Sequence, residues 1–307
     1  MDPITQRQQT ESAKRLLRAY SAEYRRAKKC RKIRAAGAIA FAIAGPVSAV
    51  WSITTAAYIA AAAGAWTVIV RVLLKRYENE AQHHAVAIHE LFDTEVLGLP
   101  WSESLAGRKP ADEDILKAAR TVADDAKLTA RIDAGWFPET PGVPPPVDTL
   151  IAQRASAIWG RRQHKLYSRL VLWVLGIVFV VVVALGFGLR MQLSTWLIVF
   201  VLPGLPALLD GVELSLSHGE QSAHKREVET TIVDAWDKEL QSPGSLTVNK
   251  CRQIQDVVFR IRLEPVQIPE WYYNRHRSGD EEAMQSAAGN LAARYRDAVD
   301  TKANEGQ

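Results

Sequence analysis

The sequence predicts an all-α membrane protein with two transmembrane helical hairpins (four spans) and a cytoplasmic helical bundle formed by two blocks. Residues 170–209 hold two apolar runs of roughly 20 residues each, the length at which a helix crosses a bilayer. Neither run has the polar face that a soluble core helix would need. A second uncharged stretch, residues 35–70, is about twice as long as one span requires. The polar ranges show helical spacing of apolar residues and no strand-like alternation.

Polar and apolar ranges alternate along the 307 residues, so the mean hydropathy of -0.10 hides both. The predicted domains are a basic N-terminal cytoplasmic helix (1–34), a first transmembrane hairpin (35–73), a cytoplasmic helical block (74–168) with a proline-rich linker (138–146), a second transmembrane hairpin (169–210) and a C-terminal cytoplasmic helical block (211–307).

Basic residues flank the apolar segments on one side only. The first 34 residues contain eleven Lys and Arg but only three Asp and Glu. The two short turns within the predicted hairpins, which would lie on the opposite side of the membrane, contain only Arg190. The positive-inside rule therefore predicts that both termini and the block between the hairpins are cytoplasmic. A nucleic-acid polymer is not the expected partner, because a basic run next to a span more often sets topology and contacts anionic lipid.

Helical spacing also predicts the elements of the polar ranges. The N-terminal helix is expected from Ile4 to Lys32, and it could lie on the membrane surface or pack on the cytoplasmic helices. The first hairpin should turn among Gly45, Pro46, Ser48 and Ser52. One helix is expected to end at Gly98 and Pro100, another could run from Asp148 into the third span, and the last is expected at 281–299.

Small residues recur every four positions in the first hairpin, which favours close contact between helices within one chain or between chains. The fourth span contains Pro203, Gly204 and Pro206, which predict either a static bend or a hinge for a pore. Asp210 and Glu213 follow on one helix face, where they could form a ring of carboxylates in an oligomer or pair with neighbouring Arg and Lys. Thr54 and Thr55 are candidates for the polar lining of a pore.

The sequence contains no complete motif of enzyme chemistry. There is no phosphate-binding GxxxxGK[ST], no GxSxG and no CxxC, so no catalytic residue, metal site or cofactor is predicted. His89, Glu90 and Asp93 resemble part of a zinc-protease motif, but no third ligand is evident. Cys30 and Cys251 lie far apart and suggest neither a disulfide nor a metal cluster.

Two groups of arginine and aromatic residues have the chemistry of a nucleotide site, since guanidinium groups bind phosphate and aromatic rings stack on bases. The same residue types also fill bundle cores and line lipid headgroups. The candidate ligand-binding residues are Arg154, Trp159, Arg161, Arg162, Trp271, Tyr272 and Arg275.

Three stretches resemble the SMODS-associating four-transmembrane effector family. They are HELFDTEVLGLPW (89–101), VDTLIAQRASAIWGRRQHKLY (147–167), and CRQIQDVVFRIR followed by IPEWYYN (251–262 and 268–274). The order of hairpins and polar blocks is also similar over nearly the whole chain. Two departures are the alanine-rich first hairpin and His89, where glutamine is expected.

The resemblance implies a pore-forming effector of a bacterial antiphage system, in which a nucleotidyltransferase makes a cyclic oligonucleotide messenger and membrane disruption ends the infected cell. Four apolar helices in one chain leave no polar channel, so a homo-oligomer in the lipid bilayer is expected. A messenger could drive assembly only by binding the assembled form more tightly. The alternatives are a constitutive channel or transporter, or a membrane scaffold without a signalling role.

Overall fold

A computed structural model describes residues 3–158, 160–264, 266 and 268–305. Within these ranges every regular element is a helix, which confirms the predicted all-α class. The helices are α1 (Ile4–Arg7), α2 (Glu11–Ala49), α3 (Ile53–Leu97), α4 (Glu103–Ala106), α5 (Asp112–Arg120), α6 (Ala126–Asp133), α7 (Val147–Ile158), α8 (Arg161–Gly188), α9 (Leu193–Gln241), α10 (Val248–Leu263) and α11 (Glu270–Glu305).

The chain divides into two compact units. The helical unit comprises Met1–Tyr24, Gln82–Gln163 and Gln221–Gln307, and the apolar unit comprises Arg25–Ala81 and His164–Glu220. The predicted domain ranges were defined by hydropathy, whereas these two units are defined by contacts between residues. The units therefore do not test the ranges, which stay predictions.

One apolar core holds the helical unit together. The apolar stripes of α3, α7, α9 and α10 meet there, as their helical spacing requires. Its largest fully buried side chains include Phe92, Leu150, Ile151, Ile232 and Ile254. Burying a side chain of this size stabilises the fold by about 1.5–3 kcal/mol.

The N-terminal segment belongs to this core. Leu16, Leu17 and Tyr20 are buried in it, which favours packing on other helices over a surface position for this part of α2. The predicted N-terminal helix is interrupted at residues 8–10, where the Gln8 carboxamide oxygen accepts hydrogen bonds of 2.8 Å from the amides of Trp136 and Phe137. These contacts hold the loop before the proline-rich segment.

The first hairpin turns at the end of the predicted range. The α2 helix continues through Gly45 and Pro46 to Ala49, and the turn occupies residues 50–52. Ser52 caps α3 by accepting a hydrogen bond from the amide of Thr55. Gly45 and Pro46 lie within α2, where the surrounding alanines favour the helix against the cost of these two residues. The second hairpin turns at residues 189–192, with Arg190 in a left-handed conformation at φ +50°.

Helices α2 and α9 approach closely within the apolar unit at Gly45. A Cβ atom on Gly45 would overlap the Cγ of Pro203 and lie 2.8 Å from the carbonyl oxygen of Val199. That carbonyl lies four residues before Pro203 and therefore loses its α-helical donor. The wide π turn Leu197–Val201 comes directly before the proline, and α9 continues through both prolines.

Three helical stretches are long and apolar enough to cross a membrane among the described residues: Ile53–Leu97, Val147–Gly188 and Leu193–Gln241. Only 12%, 0% and 17% of their apolar windows are buried. The apolar part of α2, residues 35–49, is about 22 Å long at 1.5 Å per residue and falls short of a full bilayer core. Four spans therefore stay a prediction.

Two predicted elements differ in their bounds. The last helix begins at Glu270 instead of 281, because no proline follows Pro269 and Gly279 alone costs only about 1 kcal/mol in a helix. The helix expected to run from Asp148 into the third span instead ends at Ile158, and Gly160 follows with φ +76°. The first turn of α8 thus begins at Arg161.

Replacing Gly45 with alanine should destabilise the apolar unit, because the new methyl group has no space between α2 and Pro203. We expect a lower melting temperature in detergent, by the equivalent of about 1–3 kcal/mol. Gly176→Ala is the matched control, since a Cβ there meets nothing within 4 Å. Equal melting temperatures for the two variants would contradict this close packing.

Candidate functional site

Two carboxylates on α3, Glu90 and Asp93, lie inside the helical unit with about 1% of their surface exposed. They are three residues apart and therefore lie on one face of the helix. Charges buried this deeply need hydrogen-bonding partners and counter-charges, because their desolvation costs several kcal/mol each.

Helix α10 supplies most of those partners. Arg252 Nη2 is 2.6 Å from Glu90 Oε1, and Arg262 Nη1 is 2.5 Å from Asp93 Oδ2. The Gln255 amide donates to Glu90 Oε2 at 2.9 Å and to Asp93 Oδ2 at 2.7 Å. The network couples α3 to α10 through two ion pairs.

The network continues into α7 and the end of α3. Arg262 Nη2 donates to Ser156 Oγ at 2.8 Å, and Gln153 donates to the carbonyl oxygen of Cys251 at 2.8 Å. Thr149 donates to the carbonyl of Leu97 at 3.1 Å. The polar side chains of α7 thus hold helix ends and buried charges, which is a structural role.

Sequence reasoning missed Arg252, Gln255 and Arg262. Arg252 and Gln255 are one turn apart beside the apolar stripe of α10, and that spacing was visible. Their partners lie more than 160 positions away, so no local pattern links them.

Burial raises the pKa of Glu90 to about 7, with Asp93 adding to the rise and Arg252 opposing it. Burial also lowers the pKa of His89, which favours its neutral form. His89 stacks on Tyr20 with ring centroids 4.2 Å apart, and its Nδ1 is 3.3 Å from the Tyr24 hydroxyl. His89, Glu90 and Asp93, which resemble part of a zinc-protease motif, are therefore engaged in aromatic packing and ion pairs. Among the described residues, no group of His, Cys, Asp and Glu is placed to hold a metal ion.

A separate cleft of about 220 Å³ lies between the α7–α8 junction and α11. Its lining includes three of the arginines that the sequence singled out, Arg154, Arg161 and Arg162. Apart from Gly160, the other lining residues are apolar: Ile151, Ala155, Ile158, Ala283, Met284, Ala287, Ala288 and Leu291. Positive groups beside apolar side chains suit a ligand with a phosphate and an uncharged flat part.

The break at Gly160 separates Arg154 from the other two arginines along the chain. Because α7 ends at Ile158 and α8 begins at Arg161, Arg161 and Arg162 occupy the first turn of a new helix. Arg161 forms an ion pair with Glu229 of α9. Arg154 and Arg162 have no hydrogen bond or ion pair within the described ranges.

The remaining candidate ligand residues are spread along the start of α11. Tyr272 is 8% exposed, and burial raises its pKa while the nearby charge of Arg162 opposes the rise. Trp271 is 63% exposed, and Arg275 is exposed about 14 Å along the helix from Met284. Neither lines the cleft. Trp159 lies outside the described residues.

The candidate pore residues lie in the apolar unit. Asp210 is 3.6 Å from Arg34, and Glu213 pairs with Lys75, so both carboxylates have basic neighbours in the single chain. Arg34 also contacts Glu78 at 3.4 Å. Elsewhere in this unit, Gly204 has open space beside it, and the side chains of Thr54 and Thr55 are exposed.

Replacing Arg262 with methionine should strongly destabilise the helical unit, because Asp93 would remain buried without its counter-charge. We expect a loss of about 3–5 kcal/mol, measured by thermal unfolding in detergent. Arg260→Met is the control, since Arg260 is exposed on the same helix and should change stability by less than about 0.5 kcal/mol. A stable R262M protein would contradict the role given to this ion pair.

Comparison with known proteins gives two matches. The SMODS-associating 4TM effector domain matches residues 2–291. A probable CBASS effector molecule of Bacillus cereus (strain VD146) is 23% identical over 223 residues, which cover 72% of this chain and 73% of that protein. No solved structure matches the chain. The family match spans nearly all of the sequence, so this membrane protein belongs to the SMODS-associating 4TM effector family.

Proposed function

We propose that the chain is the membrane-disrupting effector of a CBASS antiphage system and that a cyclic oligonucleotide from a nucleotidyltransferase activates it. The observation that carries this proposal is the family match over residues 2–291 together with uncovered apolar helices. The relative in Bacillus cereus supports the antiphage setting. An effector that kills the infected cell must damage an essential structure, and exposed apolar helices would act on the lipid bilayer.

The proposed location is the bacterial inner membrane, with four spans and both termini in the cytoplasm. The clustered Lys and Arg before residue 35 and after residue 70 support this orientation. The largest exposed apolar side chains of the apolar unit include Trp173, Phe179 and Phe187, which suit contact with lipid.

Assembly of several copies is part of the proposal, because the spans of one chain offer no polar channel. Helix α3 supports it with an exposed face of small residues, formed by Thr54, Ala57, Ala61 and Gly64. Faces of this kind let helix backbones approach closely in lipid. Thr54 would bring a hydroxyl group to such an interface.

The arginine-lined cleft is the proposed messenger site. Arg154 and Arg162 would bind phosphate oxygens, and the apolar residues that line the cleft would contact a base. The exposed Trp271 and Arg275 would contact parts of a large messenger outside the cleft.

Membrane depolarisation by a panel of cyclic di- and trinucleotides tests the proposal. We expect one compound to depolarise proteoliposomes that contain the full chain. Arg154→Gln and Arg162→Gln should each raise the required concentration at least about tenfold, since each removes a charge-assisted hydrogen bond. Arg260→Gln, an exposed arginine distant from the cleft in sequence, is the control.

Other results would select the alternatives. Leakage that is the same with and without each nucleotide would indicate a constitutive channel or transporter. A complete lack of conductance with retained nucleotide binding would indicate a scaffold.

Charge at the proposed pore mouth should set ion selectivity. If Asp210 and Glu213 face the pore after assembly, the double variant D210N/E213Q should lose its preference for cations, measured as the reversal potential in a salt gradient. Glu220→Gln, an exposed residue further along α9, should leave the reversal potential unchanged. An unchanged double variant would mean that the two carboxylates only anchor α9 to Arg34 and Lys75.

A further inference from the structure

The three arginines of the cleft are not equivalent. Arg154 and Arg162 have no ion pair within the described ranges, whereas Arg161 is bound to the carboxylate of Glu229. Arg161 is among the residues that line the cleft, and Glu229 is not. The third guanidinium group of the cleft is therefore already engaged by an anion from outside it.

This ion pair is exchangeable. The side chains of Arg161 and Glu229 are 34% and 22% exposed, so water and a soluble ligand can reach both. Ion pairs that solvent reaches contribute only about 0.2–1 kcal/mol. A phosphate group presents more acceptor oxygens than a carboxylate and binds the same guanidinium fork.

We infer that Glu229 is a built-in competitor of the ligand, which a phosphate group must displace from Arg161 to bind the cleft fully. The inference rests on the proposed function for the identity of the messenger, but its chemistry concerns any ligand with a phosphate. Glu229 thereby sets the concentration at which the site fills.

Displacement of Glu229 by a phosphate group would also remove a contact between α8 and α9. Arg161 is the first residue of α8, which continues into the third apolar run, and Glu229 lies on α9, which contains the fourth. The ion pair joins these helices within the helical unit. A phosphate that takes Arg161 leaves Glu229 free and removes this tie.

Binding measurements with the full chain in detergent test the inference. The probes are adenosine monophosphate and the panel of cyclic di- and trinucleotides, at fixed ionic strength. Glu229→Gln should bind at least one of them about two- to fivefold more tightly than the unmodified chain. Glu229→Asp, whose shorter side chain weakens the pair, should give a smaller gain in the same direction.

Two further variants separate competition from a general change in charge. Glu227→Gln removes an equal charge from an exposed position on the same helix and should leave affinity unchanged. In an Arg161→Gln background, Glu229→Gln should have no further effect, because the contact that it relieves is already gone. Melting temperatures confirm that each variant is folded.

The outcomes distinguish this inference from the proposed function. Tighter phosphate binding by E229Q that requires Arg161 supports the inference even if no nucleotide depolarises membranes. Unchanged affinity of E229Q, equal gains with E227Q, or no binding of any probe would overturn it. Depolarisation by a cyclic nucleotide at the same threshold in E229Q would leave the effector role intact and remove Glu229 from it.

Discussion

Two buried carboxylates impose the main constraint on the helical unit. Glu90 and Asp93 can leave water only if α10 brings Arg252 and Arg262 to them in the right register. Gln255 donates to both carboxylates, so a shift of α10 by one residue would break several contacts at once. The apolar core supplies most of the stabilisation, and the ion pairs specify one arrangement of its helices.

This constraint gives a physical meaning to the stretches that carry the family resemblance. The first contains Glu90 and Asp93, the second contains Gln153 and Ser156, and the third contains Arg252 and its neighbours. Their polar side chains meet in one buried network, so the motifs specify the fold. The arginines of the cleft lie in the second stretch but outside that network, and Arg154 and Arg162 are available for a ligand, whereas Arg161 is paired with Glu229.

Local patterns were sufficient for much of the fold. The apolar runs, the helical stripes and the end of α3 before Gly98 depend on residues within one or two turns, and hydropathy and capping describe them. The exact residues of the first hairpin turn and the start of α11 at Glu270 could not be predicted, because a helix with favourable neighbours can continue through a single glycine or proline.

Non-local contacts account for the rest. The sequence grouped Arg154, Arg161 and Arg162 by residue type and proximity, and all three line one cleft. It could not show that Gly160 would separate two helices, that α11 would cover the apolar side of the cleft, or that Glu229 would engage Arg161. The cover by α11 and the contact with Glu229 depend on packing between segments tens of residues apart.

The separation between the buried charges also orders events during synthesis. Glu90 leaves the ribosome 162 residues before Arg252, a delay of roughly 8–30 s at about 5–20 residues per second. Both apolar hairpins are translated before that arginine arrives. A nascent chain therefore presents both apolar segments while the charged network of the helical unit still lacks its partner helix, so this unit can be completed only after the apolar segments have been made.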